Sequence, residues 1–138
     1  LDTKGISDYL NKKSGVAGIS GLSSDMRDIE AADKAGVPLA VLAMSMYSYK
    51  IKKYIGAYTA ALGGVDVIVF TGGVGENQTG LRADICKELA FMGIELDEEA
   101  NKVRGEEKIV TTENSKIKVV VIPTDEEFMI ASDTMSLI

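Results

Sequence analysis

The spacing of hydrophobic positions changes several times along the chain, and each change marks a boundary. Gly5–Lys13 sets Ile6, Tyr9 and Leu10 on one face and predicts a short helix. The run SGVAGISGLSSD (14–25) is rich in Gly and Ser and predicts a loop. DMRDIEAADKAG then predicts a helix, acidic at its start and stopped at Gly36. Pro38 suits the first turn of a long helix that follows. Its opening LAVLAMSMY is apolar nearly all round, which predicts burial on several sides. From Ile51 the stripe narrows to Ile51, Tyr54, Ile55, Tyr58 and Leu62, and the pair Gly63–Gly64 ends it. So long a helix predicts a core spine or part of a subunit interface.

Beyond it, VDVIVF (65–70) is short, β-branched and bounded by glycine, like a strand covered on both faces. Residues 81–91 are amphipathic, with Leu81, Ile85, Leu89 and Cys86 inward. IELDEEANKVRG predicts a short acidic helix. EKIVTT and IKVVVIPT predict two strands separated by 113–116. The last helix starts near Asp125 and carries Phe128, Met129, Ile130 and Ala131. This order is α/β, but two or three strands are thin for a closed sheet, so further strands are expected upstream. No repeat or low-complexity segment interrupts the chain.

Composition narrows the chemistry. With 15 basic and 21 acidic side chains among 138 residues, the net charge of -6 argues against nucleic acid or an anionic membrane as the main partner. A local phosphate site survives that argument, because backbone N–H groups need no net positive charge. The one cysteine, Cys86, allows no intrachain disulfide and fits a reducing, cytoplasmic compartment. The absence of histidine removes His-based triads and His–metal clusters. No signal peptide is visible, and the lack of an initiator Met fits a fragment or a processed product.

Three stretches carry candidate chemistry. VFTGGVGEN follows a strand, and ligands of open α/β sheets bind at strand carboxyl ends. Glycines there allow close approach and positive φ, and a following helix offers unpaired N–H groups. The spacing matches neither the dinucleotide fingerprint nor the P-loop, so a purely structural turn is an equal reading on this stretch alone. VVVIPTDEEF ends a strand in three carboxylates. A capping box with Thr124 as N-cap and Glu127 reaching back explains one of them. Glu126 is then free to face the strand end, where a carboxylate can hold hydrated Mg²⁺. GLSSDMRDIE is a capped helix start with Ser24 or Asp25 as N-cap, and Arg27 is an ordinary surface charge on that reading.

Together SGLSSDMRDIE, VFTGGVGENQTGLRADICKELAFMGIELDEEAN and VIPTDEEFMIASDT resemble the acetate kinase family, in the family's order and over nearly the whole chain. The resemblance implies a ribonuclease-H-like fold of the sugar kinase, heat-shock-70 and actin-like ATPase superfamily, with a nucleotide cleft between two domains. It implies phosphoryl transfer between ATP and acetate, giving acetyl phosphate and ADP, with Mg²⁺. Residues 1–138 are then the C-terminal nucleotide-binding domain, with the N-terminal domain absent and some strands of the sheet missing. By the same resemblance Gly73, Val74, Gly75, Glu76 and Asn77 line the adenosine side of the pocket, Asp25, Met26 and Arg27 contact the nucleotide, and Glu126 is the Mg²⁺-linked carboxylate. Val74 stands where Ile is commoner. The family's catalytic Asp, transition-state arginines and catalytic His belong to the N-terminal part, so this chain holds no catalytic residue and is expected to be inactive alone. A homodimer through the C-terminal domain is also implied. A propionate kinase and a noncatalytic nucleotide-binding or dimerisation module remain alternatives.

Overall fold

The long apolar run folds as one continuous helix, α4 (Pro38–Leu62), and it ends at Gly63, whose φ of 74° is left-handed. In the computed structural model, which describes residues 2–138, the chain divides into two units, Leu1–Ala61 and Leu62–Ile138.

The first unit is helical. α1 (Thr3–Lys12) is capped by Asp2, whose carboxylate accepts the Gly5 N–H at 2.7 Å. Its apolar residues Ile6, Tyr9 and Leu10 remain exposed. The expected loop 14–25 instead contains a helix, α2 (Gly15–Ser20), closed by Gly21 at φ 66°. Glycine is needed there for packing, because a Cβ at Gly18 would lie 2.7 Å from the Lys13 carbonyl oxygen. Composition alone read that close approach as looseness. α3 (Met26–Lys34) stops before Gly36, as its pattern predicts. Ile29 of α3 and Ala40 and Ala43 of α4 form the buried cluster, with Ile19, Ala32 and Met44 against it.

α4 corrects one expectation. Its first half was expected to be buried on several sides, yet Leu39, Leu42, Met46 and Tyr49 are about half exposed. The small side chains take the inward stripe, Ala40 and Ala43 with Ser48 further on and Met44 beside them, and these four large ones point outward. Hydropathy counts both kinds as apolar and cannot tell which lie inside.

The second unit holds a mixed sheet. β1 (Val67–Phe70) runs parallel to β3 (Lys118–Val121), and β2 (Lys108–Ile109) pairs antiparallel on the other side of β3, giving the order β1-β3-β2. The central strand buries Val119 and Val121. α5 (Gly72–Asn77) and α6 (Thr79–Glu88) follow β1, and α7 (Glu126–Ser136) follows β3. Leu81, Ile85, Cys86 and Leu89 are buried, as the amphipathic pattern predicts. β1 is not covered on both faces, since Val67 and Val69 are nearly half exposed. It is an edge strand here, lacking a neighbour on the side away from β3 among the described residues. The expected acidic helix at 94–105 reduces to one 3₁₀ turn at Ala100–Lys102. Asp97 accepts the N–H groups of Glu99 and Ala100 through Oδ1, and Leu96 bridges to Thr111, so the segment is held as sheet margin instead.

Candidate functional site

Two of the three candidate stretches leave the same end of the sheet. β1 and β3 are parallel neighbours with Phe70 opposite Val121, and the Ile122 N–H donates to the Phe70 carbonyl at 3.0 Å. The chain therefore departs from two adjacent carboxyl ends, where open α/β sheets bind ligands.

After β1, Thr71 stays extended and the chain turns at once into α5. The expected glycine loop followed by a helix is thus a helix that contains its glycines. Gly72 alone of the three needs positive φ, at 68°. Gly75 is helical, and a Cβ on it would sit 3.2 Å from the Phe70 carbonyl carbon, so it permits close packing of helix on strand. Gly73 is different: a Cβ there would meet nothing within 4 Å. Its surface is open, and glycine at that place leaves the backbone bare. Asn77 folds back along its own helix, donating Nδ2–H to the Gly73 carbonyl at 2.9 Å. Val74 is half-buried.

After β3, the chain runs through Ile122, Pro123 and Thr124 into α7. The expected capping box does not form. Asp125 is the N-cap, its Oδ1 accepting the Phe128 N–H at 3.0 Å. Thr124 is engaged elsewhere, donating both its backbone N–H (2.8 Å) and its hydroxyl (3.1 Å) to Oε1 of Glu76 in α5. A local sequence rule assigned Thr124 to the nearest helix, and a residue 48 positions away claimed it. Glu126 and Glu127 are the first two residues of α7 and both are exposed. A shallow depression of about 400 Å³ is lined by Thr124, Asp125, Glu126, Met129 and Ile130. A groove of about 670 Å³ elsewhere, with Ala83, Lys87, Ile94 and Leu96 in its wall, includes none of the expected residues.

One organising residue was missed. Arg82 is fully buried. Its guanidinium donates Nε–H to Asn101 Oδ1 (2.9 Å), Nη1–H to the carbonyls of Gly75 (2.7 Å) and Glu76 (2.9 Å), and Nη2–H to those of Asn101 (2.7 Å) and Val103 (2.8 Å). Burial pushes its pKa down, with Arg104 adding to the effect. The cost of burying a guanidinium is offset because each N–H finds an oxygen. Asn101 completes the bracket by donating Nδ2–H to the Thr79 carbonyl at 2.9 Å. The signal was present: position 82 lies three and four residues before the inward Ile85 and Cys86, hence on the buried face. Burial also pushes the Cys86 thiol up to about 11, against the opposing pull of Arg82, which leaves it protonated at neutral pH.

The third stretch belongs to the first unit. Asp25 caps α3, accepting the Arg27 N–H at 2.9 Å. The Arg27 guanidinium returns to the same carboxylate, Nη2 lying 2.6 Å from Oδ2. That side-chain bond, with the backbone one, holds the Asp25 carboxyl down at about 2, from 3.8. Arg27 is raised in turn by its bond to Asp25. Ser23 Oγ accepts the Asp25 N–H and donates to Asp28 Oδ2 at 2.7 Å, which stiffens the turn. Met26, between the two charges, is half-buried. The fold thus gathers Gly73–Asn77 and the Glu126 turn within the second unit, and Asp25, Met26 and Arg27 within the first.

Among the described residues no group of three or more acidic, Cys or His side chains converges as a metal cage. A lone carboxylate of the Glu126 kind still fits Mg²⁺, which keeps several waters and draws further oxygens from nucleotide phosphates. The donor set therefore suits a metal brought with its nucleotide.

Comparison with known proteins follows the same lines. The model of the Acetokinase family matches residues 1–132. The acetate kinase of Bacteroides fragilis is 66% identical over 138 residues, covering all of this chain and 35% of the relative. The crystal structure of Porphyromonas gingivalis acetate kinase is similar with a TM-score of 0.88 and 58% identity, over 99% of this chain and 34% of that one. A propionate kinase from Francisella tularensis matches with a TM-score of 0.83 and 36% identity, over 95% of this chain and 33% of that one. The chain spans about a third of the length of these proteins.

Proposed function

The chain belongs to the acetokinase family, and on that premise we propose that it is the C-terminal nucleotide-binding part of an acetate kinase. The reaction is phosphoryl transfer between ATP and acetate, yielding acetyl phosphate and ADP. The observation that carries this reading is the joint departure of the glycine helix and the Glu126 turn from adjacent parallel strand ends.

In this reading α5 offers the bare backbone of Gly73 and the half-buried Val74 as the adenosine wall, with Gly75, Glu76 and Asn77 completing it. Asp25, Met26 and Arg27 also contact the nucleotide. Arg27 suits that role because its exposed guanidinium is already oriented by Asp25 and loses less freedom on binding. Glu126 orients a water of the metal shell. Bound Mg²⁺ supplies charge neutralisation at the phosphates. The half-exposed face of α4 contributes to a two-fold dimer. No helix among the described residues is long and apolar enough to cross a membrane.

The test compares this 138-residue chain with the full-length natural protein that carries it. The full-length protein forms acetyl phosphate from acetate, ATP and Mg²⁺. The chain alone does not, because in-line transfer needs charge stabilisation around the γ-phosphate that these residues lack. Acetyl phosphate made by the purified chain, with full-length kinase excluded, would overturn this division. A propionate acceptor is the second reading, favoured by the likeness to the Francisella protein. The ratio of kcat/KM for acetate and propionate in the full-length protein separates the two.

A further inference from the structure

We infer that Glu76 is a positioning residue that ties the nucleotide wall to the metal carboxylate, so that α5 and the Glu126 turn move as one frame. The inference rests on the reading of Glu126 as the metal-linked carboxylate.

Past the last ladder bond, Ile122 N–H to Phe70 carbonyl, the two chains leave the sheet for different helices. The Glu76 carboxylate spans them. Its Oε1 accepts the Thr124 N–H at 2.8 Å and the Thr124 hydroxyl at 3.1 Å. Bonds to an ionised acceptor are roughly twice as strong as neutral ones. Both ends of the link are themselves held. On the α5 side, buried Arg82 grips the carbonyls of Gly75 and Glu76, so the helix end that carries the Glu76 side chain cannot swing. On the α7 side, Asp125 caps the helix through Phe128 N–H, one residue after Thr124. Glu126 comes next, as the first residue of the helix. Its direction is therefore set by two neighbours in sequence, one anchored to α7 and the other to α5. A carboxylate that orients a metal-bound water gains from this support, since groups outside the first coordination sphere align the ligand.

Glu76 also lines the proposed nucleotide wall, and the alternative is that it serves the nucleotide alone. The two differ at Thr124, which only the positioning role requires. The experiment uses the full-length natural protein with Glu76→Ala, Glu76→Gln, Thr124→Val, Thr124→Ser and Glu126→Ala. Three quantities are read: Mn²⁺ binding in the presence of ADP, from the electron paramagnetic resonance signal of free Mn²⁺; ADP binding without metal, by calorimetry; and the Mg²⁺ half-saturation of turnover. Melting temperature identifies any variant that has lost its fold, and Thr124→Val keeps both the backbone N–H and the side-chain shape.

Glu76→Ala, which removes both bonds, should weaken Mn²⁺ binding by about tenfold, and Thr124→Val, which removes only the hydroxyl bond, by about threefold, each raising the Mg²⁺ half-saturation in step. Combined, they should cost no more than Glu76→Ala alone, because that variant already removes the bond that Thr124→Val deletes. In Thr124→Val, which touches no residue of the proposed nucleotide wall except through Glu76, ADP binding without metal should change little. Thr124→Ser and Glu76→Gln, which keep the hydroxyl and the oxygen acceptor, should retain most of the affinity. If Glu126→Ala weakens Mn²⁺ binding and Thr124→Val does not, the inference fails while the metal reading stands. If Glu126→Ala leaves Mn²⁺ binding unchanged, the metal reading fails and the inference with it. If Thr124→Val weakens metal-free ADP binding as much as it weakens Mn²⁺ binding, the link serves the nucleotide and not the metal, and the positioning role is overturned.

Discussion

Asp125, Glu126 and Glu127 are adjacent carboxylates in different settings. Asp125 accepts a backbone N–H, Glu126 lines the depression beside Thr124, and Glu127 makes no reach back to the helix start of the kind a capping box requires. Asp125→Ala should therefore cost about 1 kcal/mol, the usual value of a lost N-cap. Glu127→Ala should stay within about 0.5 kcal/mol of the parent, as an exposed surface substitution does. Urea denaturation of both variants checks the order, and a larger loss for Glu127→Ala would reinstate the capping box. Asp25 provides a pH counterpart. Its carboxyl is held at about 2 by Arg27, against 3.8 ordinarily, so the folded state binds its proton later than the unfolded one. The cap and ion pair are then fully present above the ordinary carboxylate value and are lost as pH falls toward 2. A ¹³C titration of the Asp25 carboxyl should show the low midpoint, and Arg27→Met, which keeps only the backbone N–H bond, should raise it toward the ordinary value.

At the scale of elements, α5 separates two glycines that sequence alone treats alike. Gly75 faces the backbone of Phe70 and Gly73 faces open space. Gly75→Ala should destabilise by about 1–3 kcal/mol through overpacking. Gly73→Ala should leave stability within about 0.5 kcal/mol and instead weaken ADP binding, if its bare backbone is the nucleotide wall. Melting and ADP titration of the pair distinguish a packing glycine from a binding one. The bracket behind α5 is a stronger dependency. Arg82→Met removes the donors to four carbonyls and one side-chain amide. Each orphaned buried acceptor costs on the order of 1–3 kcal/mol, so the loss should reach at least about 3 kcal/mol. Denaturant midpoints measure it, and a near-neutral result would mean that water replaces the guanidinium.

For the molecule as a whole, the outward face of α4 is the surface that bears on assembly. Leu39, Leu42, Met46 and Tyr49 recur at spacings of three and four and are about half exposed. Those spacings keep them on one side of the helix, as a helix–helix contact requires. The proposed two-fold dimer uses this face. Introducing charge with Leu42→Glu and Met46→Glu should shift the full-length protein to a monomer in sedimentation velocity. A dimer that persists in the double variant would place the interface elsewhere. Exposed β1 residues such as Val67 and Val69 serve as controls, since changes there should leave a dimer formed through α4 intact.

Local order was readable from the chain. The helix stop at Gly36, the continuous helix from Pro38 to Leu62, and the inward set Leu81, Ile85, Cys86 and Leu89 each express a short-range rule of periodicity or capping. The glycine and Pro-Thr stretches were visible as strand ends for a similar reason, since β-branched runs stop where turn residues begin. Contacts set by strand adjacency were not readable. Nothing within a few residues of Thr124 shows that Glu76 lies beside it, because β1 and β3 are brought together by a parallel crossover. Arg82 lay on a buried face by periodicity, but its partners Asn101 and Val103 become neighbours only when that segment packs on α6. The small inward residues of α4 are less apolar than the large outward ones, so which set is buried depends on what packs against it and not on hydropathy. Sequence periodicity identifies the elements and their faces, whereas tertiary structure decides which polar groups meet across them, because partners far apart in the chain meet only where packing brings them together.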